Sequence, residues 1–274
     1  MIVAFQGERG AFSESAARRL LGSEVTLRPC ETFDDMFAAV RADDANCCVA
    51  PIENSLAGSI HRNYDLLIES GLRIFGETNV KIVHNVIAAP DVALANVRRI
   101  YSHPVALAQC LRFFRANPEI EAIPTHDTAG AVREVLDRRQ PDEAAIASAR
   151  AAEIYGGTIL ATSVEDHQQN FTRFLLLAAS DIQPIEPARR WKTSLMLRLP
   201  DKPGALFRAL GAFAMFDIDL SKIESRPIEG RPWEYAFYMD VIGRSTDAPL
   251  QRAVSNLEEM ADELHVLGSY PTRW

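Results

Sequence analysis

Residues 1–180 of this 274-residue chain contain a single lysine, Lys81. That scarcity makes a lysine Schiff base a poor choice of chemistry for the larger part of the chain. Cysteine is also sparse, and Cys30, Cys47, Cys48 and Cys110 form no C-x-x-C pair. No histidine cluster has zinc-ligand spacing, so neither a disulfide framework nor a metal site is expected, and no cofactor is called for. Apolar runs stop short of the ~18–20 residues that a membrane span needs. Positive charge is in deficit: the formal net charge is −8, which argues against a broad basic face for nucleic acid. Neither G-x-G-x-x-G nor a Walker loop occurs, although both would have marked a nucleotide phosphate site. The N-terminus has no basic, apolar or Arg/Ser-rich targeting pattern, and the expected location is cytoplasmic.

What is present reads as an ordinary globular protein, 47% apolar and 24% charged, long enough for two or three units. Strand-like segments are 2–6, 24–30, 47–52, 74–89, 98–101, 122–125, 144–147 and 172–178. Helical patterns lie between most of them, which argues for parallel α/β layers. Thr32-Phe33-Asp34-Asp35 looks like a capping box ahead of a Phe33, Met36, Phe37, Val40 stripe. Ser102-His103-Pro104 opens a helix with proline in its first turn, and Ser148 is placed to cap another. Cys47 and Cys48 read as small core residues of an apolar strand. A proline-rich break at 183–187 suggests an exposed linker, expected over 181–191. After it, the order βαββαβ predicts a ferredoxin-like unit over 192–274.

Several loops carry polar groups that could be chemical or merely structural. Gly7–Ser13 follows the first strand and opens a helix, so it is either an ordinary tight turn or an anion cradle. Glu53, Asn54 and Ser55 end a buried strand, where α/β proteins bind ligands but where capped turns also occur. His103 is a helix cap or a site residue, and Thr128 could cap the helix beginning at Ala129. Arg173 would be costly to bury unless it meets an anion. Thr172 and Arg173 are strand neighbours and should face opposite sides unless the strand is irregular there.

The ordered set G-E-R-G-A-F-S, P-I-E-N-S-L-A-G-S, S-H-P-V-A-L-A-Q-C, D-T-A-G-A and N-F-T-R-F resembles the prephenate dehydratase family. D-K-P-G-A-L-F and I-E-S-R-P in the last unit resemble an ACT regulatory domain. The resemblance implies an α/β fold: a catalytic region over 1–180 with two lobes similar to a type II periplasmic binding protein, then the ACT domain. Lobe one would take about 1–75 and 166–180, lobe two about 76–165, with the active site between them. The implied reaction is loss of water and carbon dioxide from prephenate to give phenylpyruvate, a lyase step in phenylalanine biosynthesis. By the same resemblance Thr172 is the catalytic group at the leaving hydroxyl. Arg173, Phe174, Asn54, Ser55, Glu53, Ser13, His103 and Thr128 are the implied substrate-binding residues. A threonine hydroxyl is too weak an acid for efficient general acid catalysis, so Thr172 is read as a positioned donor that could pass on a proton. L-Phenylalanine is the implied allosteric effector, at Gly204, Ala205, Leu206, Glu224, Ser225, Arg226 and Pro227. ACT pairing implies a homodimer or homotetramer. Val105, His126 and Phe207 depart from the family pattern. Arogenate dehydratase and a non-catalytic amino-acid sensor are the alternatives.

Overall fold

The structure is a computed structural model that describes residues 1–183, 190–228 and 230–272, with backbone alone at 231–233. Residues 184–189 of the expected linker and the turn residue Glu229 lie outside the described residues. Two units emerge, Met1–Gly71 with Thr78–Ala179 and Leu72–Glu77 with Ser180 onward.

In the first unit, β1 (Ile2–Gln6) buries Val3, Ala4 and Phe5 completely and leads into α1 (Phe12–Leu21). Next come β2 (Thr26–Cys30) and α2 (Phe33–Arg41). The capping box forms: Asp35 N–H donates to Thr32 Oγ1 at 3.1 Å and Thr32 N–H to Asp35 Oδ2 at 3.3 Å. That reciprocity satisfies two donors at the helix start and fixes its register, which buries Met36, Phe37 and Val40. β3 (Cys47–Asn54) is buried along nearly its whole length, which is why it reads as an apolar run rather than an alternation. β4 (Gly58–Ser59), α3 (His61–Ser70), β5 (Arg73–Lys81), β6 (Asn85–Ala88) and β7 (Arg99–Ser102) follow. Then come α4 (Pro104–Ala108), α5 (Leu111–Ala116), β8 (Glu121–Pro124) and α6 (Thr128–Arg138). β9 (Glu143–Ala147), α7 (Ala149–Tyr155), β10 (Thr158–Ala161) and β11 (Phe171–Ala178) complete the unit.

These strands make two sheets, ordered β2-β1-β3-β11-β5 and β10-β6-β9-β7-β8. Parallel pairing holds for β1 with β2 and β3, and for β7 with β8 and β9. The sheets are nevertheless mixed, because β11 runs antiparallel to β3, and β6 antiparallel to β9 and β10. The segment 74–89, expected as one strand, is two. Residues 82–84 leave one sheet for the other, held by Ile82 N–H on the Asn170 carbonyl (2.8 Å) and His84 N–H on Glu165 Oε2 (2.9 Å). The cap of α6 is Asp127, whose Oδ1 accepts from Gly130 N–H at 2.7 Å, and Thr128 is the first helical residue rather than the cap. All four cysteines are buried, and burial pushes the Cys47 and Cys110 thiols up to about 12.

The second unit follows the βαββαβ order: β12 (Arg190–Arg198), α8 (Ala205–Ala214), β13 (Leu220–Ile228), β14 (Arg231–Ile242), α9 (Ala248–Glu258) and β15 (Glu263–Thr272). Its antiparallel sheet is ordered β13-β14-β12-β15. Leu195, Leu197, Phe213, Met239, Val241 and Leu257 fill the core between sheet and helices. Each such side chain contributes about 1.5–3 kcal/mol when fully buried. Leu72–Glu77, the opening of β5, belongs to this unit. Glu77 Oε1 lies 2.7 Å from Lys192 Nζ and also accepts the Thr272 hydroxyl. A Cβ at Gly268 would lie 2.2 Å from the Ile74 carbonyl oxygen, so this contact admits only glycine.

Candidate active site

A cavity of about 350 Å³ opens between the two sheets of the first unit. One side of its wall comes from the ends of β1, β3 and β11 and the start of α1. The other comes from His84, α4 and the start of α6. The loop Gly7–Ser13 helps to set this geometry. Gly10, at φ +90°, packs so closely on α7 that a Cβ would lie 2.7 Å from the Ala151 Cα. The Gly10 carbonyl accepts the Ser148 hydroxyl at 2.6 Å, and the same hydroxyl caps α7 through Ala151 N–H. Gly10 thus serves close backbone approach, and its own N–H is taken by Glu14 Oε2 at 2.8 Å.

Thr172 stands on this wall with Asn54 directly opposite it in the β11–β3 register. Asn54 Nδ2 donates to Thr172 Oγ1 at 2.9 Å. Backbone groups fix the orientation of that amide. Asn54 Oδ1 accepts from Leu56 N–H (3.0 Å) and Ala57 N–H (2.8 Å), and Nδ2 also reaches the Phe171 carbonyl (3.2 Å). Because Thr172 Oγ1 accepts from Asn54, its own proton is left to donate elsewhere. The polar chain continues from there. Asn54 Nδ2 meets Asn170 Oδ1 (2.8 Å), Asn170 Nδ2 donates to Gln109 Oε1 (2.8 Å), and Gln109 Nε2 lies 3.4 Å from Asn54 Oδ1. His84 Nε2 sits 3.0 Å from the same Gln109 Oε1.

Ser13, His103 and Thr128 also line the cavity, together with Phe12, His126 and Asp127. His103 caps α4, its Nδ1 accepting from Val105 N–H at 3.2 Å. Burial, and then the charge of His126, push the His103 pKa down against an upward pull from Asp127. Burial likewise lowers His84, opposed by its Gln109 bond and by Glu165. Among the described residues of the cavity wall there is no lysine or arginine.

Four expected contacts fall elsewhere. Arg173 faces Glu53 across the strand pair, and neither lines the cavity. The register slips between Arg173 and Phe174, and Phe174, 2% exposed, joins the core opposite Pro51. Ser55 is a clasp: its hydroxyl donates to the Gln169 carbonyl (3.1 Å) and accepts from Phe171 N–H (3.0 Å). Ordinary strand alternation accounts for Arg173, while the bulge and the clasp were not legible. His84, Gln109, Asn170 and Asp127 were not singled out, although Gln109, Asp127 and Asn170 stood inside the motifs named above.

In the second unit a smaller cavity, about 170 Å³, is lined by residues of 199–206 and by Glu234, Tyr235 and Phe237. Ala205 and Leu206 are on its wall. Gly204 is the α8 cap at φ +76° and does not line it. Glu224, Ser225, Arg226 and Pro227 lie on β13, the edge strand, with Ser225 opposite Phe237 and Pro227 opposite Tyr235.

Comparison with known proteins decides the family. The prephenate dehydratase model matches residues 3–182 and the ACT domain model residues 193–259. The chain belongs to the prephenate dehydratase family. An arogenate dehydratase/prephenate dehydratase of Arabidopsis thaliana, chloroplastic, is 44% identical over 281 residues, which cover 98% of this chain and 72% of that protein. A solved family structure, prephenate dehydratase from Arthrobacter aurescens in complex with L-Phe, superposes with a TM-score of 0.89. It is 33% identical and covers 99% of this chain and 90% of that one. A protein described as a novel type of quorum quenching acylase is similar too, with a TM-score of 0.88 and 36% identity over 99% of this chain and 98% of that one. The two-lobed α/β region followed by a ferredoxin-like ACT domain is therefore the family's fold. No helix among the described residues is long and apolar enough to cross a membrane.

Proposed function

We propose that this protein is a prephenate dehydratase whose site is the cavity around Thr172. The observation that carries the reading is the Asn54–Thr172 pair, which leaves a threonine hydroxyl proton free to be donated from the cavity wall. Prephenate carries a ring carboxylate and a ring hydroxyl at opposite ends of a cyclohexadiene. Breaking the carboxylate's C–C bond releases carbon dioxide and pushes the electron pair through the diene. The C–O bond to the hydroxyl then breaks, and the ring becomes aromatic. The departing oxygen takes up one proton and leaves as water. Aromatisation drives the reaction, so the protein needs to orient the substrate and stabilise charge on the leaving oxygen. Thr172 supplies that hydrogen bond, and the proton consumed comes ultimately from solvent.

With no cationic side chain on the described wall, the carboxylates must be met by neutral donors. The start of α1 suits this role, since its cap, Ala11, offers no side chain and Ser13 faces the cavity. Helix N-termini favour anions. Thr128 and the neutral imidazole of His103 extend the same donor set. Asn54 positions Thr172. Arg173, Glu53 and Ser55 support the wall from behind.

A second reading, arogenate as substrate, is favoured by Asp127. Asp127 lines the cavity, and its carboxylate, which caps α6 through Oδ1, would suit the ammonium group that arogenate carries in place of the keto oxygen. Acyl hydrolysis fits less well, because the Thr172 oxygen is bonded to an amide rather than to an imidazole base.

In the second unit, L-phenylalanine would act as effector at the cavity beside Ala205 and Leu206. Pairing through the β13 edge would bring Glu224–Pro227 to the effector and give a homodimer or homotetramer. Inhibition follows if the effector binds the less active state better. The protein is read as a cytoplasmic enzyme that needs no metal or cofactor.

The test is turnover of purified protein on prephenate and on arogenate, with and without L-phenylalanine. Phenylpyruvate release that Thr172→Ala abolishes supports the reading. Turnover unchanged in Thr172→Ala overturns it.

A further inference from the structure

His84 is 2% exposed and lines the cavity, yet its Nδ1 has no hydrogen-bond partner among the described residues. Such a group is costly unless something requires it. The donors and acceptors around it assign its proton. Leu56 and Ala57 N–H groups can only donate, so Asn54 must present Oδ1 to them and Nδ2 to Thr172. Gln109 Nε2 then faces Asn54 Oδ1, which turns Gln109 Oε1 towards Asn170 Nδ2 and His84. An amide oxygen only accepts, so His84 must donate to it from Nε2, and its Nδ1 is the bare nitrogen. The ring is held in place by its backbone N–H on Glu165 and by edge-on packing against Phe12, with ring centres 5.9 Å apart.

We propose that His84 is a positioning residue for this reaction. As a neutral imidazole protonated at Nε2, it pins Gln109 in the single amide orientation that keeps Asn54 loaded onto Thr172. Without that donor, Gln109 keeps only the Asn170 Nδ2 bond at Oε1, and its amide is less firmly held against Asn54. Thr172 is then held less well. The substrate's own contacts on α1 and α6 stay in place, so the loss falls on the chemical step. The proposal rests on the dehydratase reading given above.

Two variants and one spectrum test it. Glutamine can place an N–H near the Nε2 position of histidine, whereas leucine cannot donate. His84→Leu is expected to lower kcat by about tenfold or more, as small misplacements at reacting groups do, with KM within about threefold on the same argument. His84→Gln is expected to recover most of kcat. Unchanged kcat in His84→Leu, a loss confined to KM, or a His84→Gln variant as impaired as His84→Leu would each overturn it. Thermal melting shows whether both variants fold. Independently of turnover, long-range ¹H–¹⁵N correlation on histidine-labelled protein should include a neutral ring protonated at Nε2 whose signals vanish in His84→Gln, which assigns them to His84. A ring protonated at Nδ1 instead overturns the proposal even in an active protein. Wild type inactive on both substrates, with the Nε2 form present, would fault the dehydratase reading and leave the hydrogen-bond assignment standing.

Discussion

Around Thr172, the groups joined by hydrogen bonds are the amides of Asn54, Asn170 and Gln109 and the imidazole of His84, whose burial favours its neutral form, and all but Asn170 border an open cavity. In the second unit, Glu77 and Lys192 meet as an ion pair closed off from solvent, with Thr272 on the same carboxylate. Uncharged amides have a fixed sense of donor and acceptor, so they can aim a hydroxyl without any pKa having to be held in place. A buried charge pair aims nothing outward. Its worth lies in the penalty for separating it. On the proposed reading the first cluster directs a proton, while the second holds strands together.

That contrast can be broken or sharpened by substitution. The largest effect is expected from Lys192→Met, which removes the ammonium 2.7 Å from the buried Glu77 carboxylate. Removing one partner of a buried pair costs about 3–5 kcal/mol, and replacing both partners by apolar residues recovers much of it. Chemical denaturation of Lys192→Met and of Lys192→Met with Glu77→Leu measures both, and equal destabilisation would remove the ion pair from the account. Next is Thr172→Ala, expected to lower kcat by about 10²–10³, the usual loss of one donor to a developing oxyanion, with thermal stability nearly unchanged. Asn54→Asp is a finer cut: an acceptor replaces Nδ2, the Thr172 proton turns towards it, and kcat should fall about tenfold or more through the buried mismatch.

The pH response separates the clusters further. His84 and His103 both titrate below the ordinary histidine range in the folded protein. Between that lowered range and about 6.5, the unfolded chain binds more protons, so stability rises with pH there. The first unit should melt at lower temperature as pH falls through this window and show no such loss above pH 7. His84→Gln should flatten the curve. Smallest of all, Ser55→Ala should cost about 0.5–1.5 kcal/mol through its clasp on residues 169–171, with KM unmoved. A raised KM would return Ser55 to the substrate.

Much of this was legible from the residues. The Thr32–Asp35 box, the Ser148 cap, the proline-opened helix at His103 and the βαββαβ order are local signals, each set by a few neighbouring residues. Thr172, Asn54, Ser13, His103 and Thr128 came from the family resemblance, and all five stand on one cavity wall. What escaped was long-range. The register slip after Arg173 depends on how β3 and β11 meet across more than a hundred residues. His84 lay hidden in an apolar run that resembled a single strand until the chain was seen to change sheets there. Asp127 displaced Thr128 as helix cap because its carboxylate reaches Gly130, a choice that two adjacent candidates leave open.

The opening of β5 bears on how this protein can be taken apart. Ile74 and Glu77 supply the second unit with the neighbour of Gly268 and the counter-ion of Lys192. A fragment cut at 190 would therefore lack a piece of itself encoded more than a hundred residues upstream. Such a fragment becomes a receptor for a short synthetic strand of residues 72–77. Adding that peptide in trans would turn the boundary between the units into something that can be titrated.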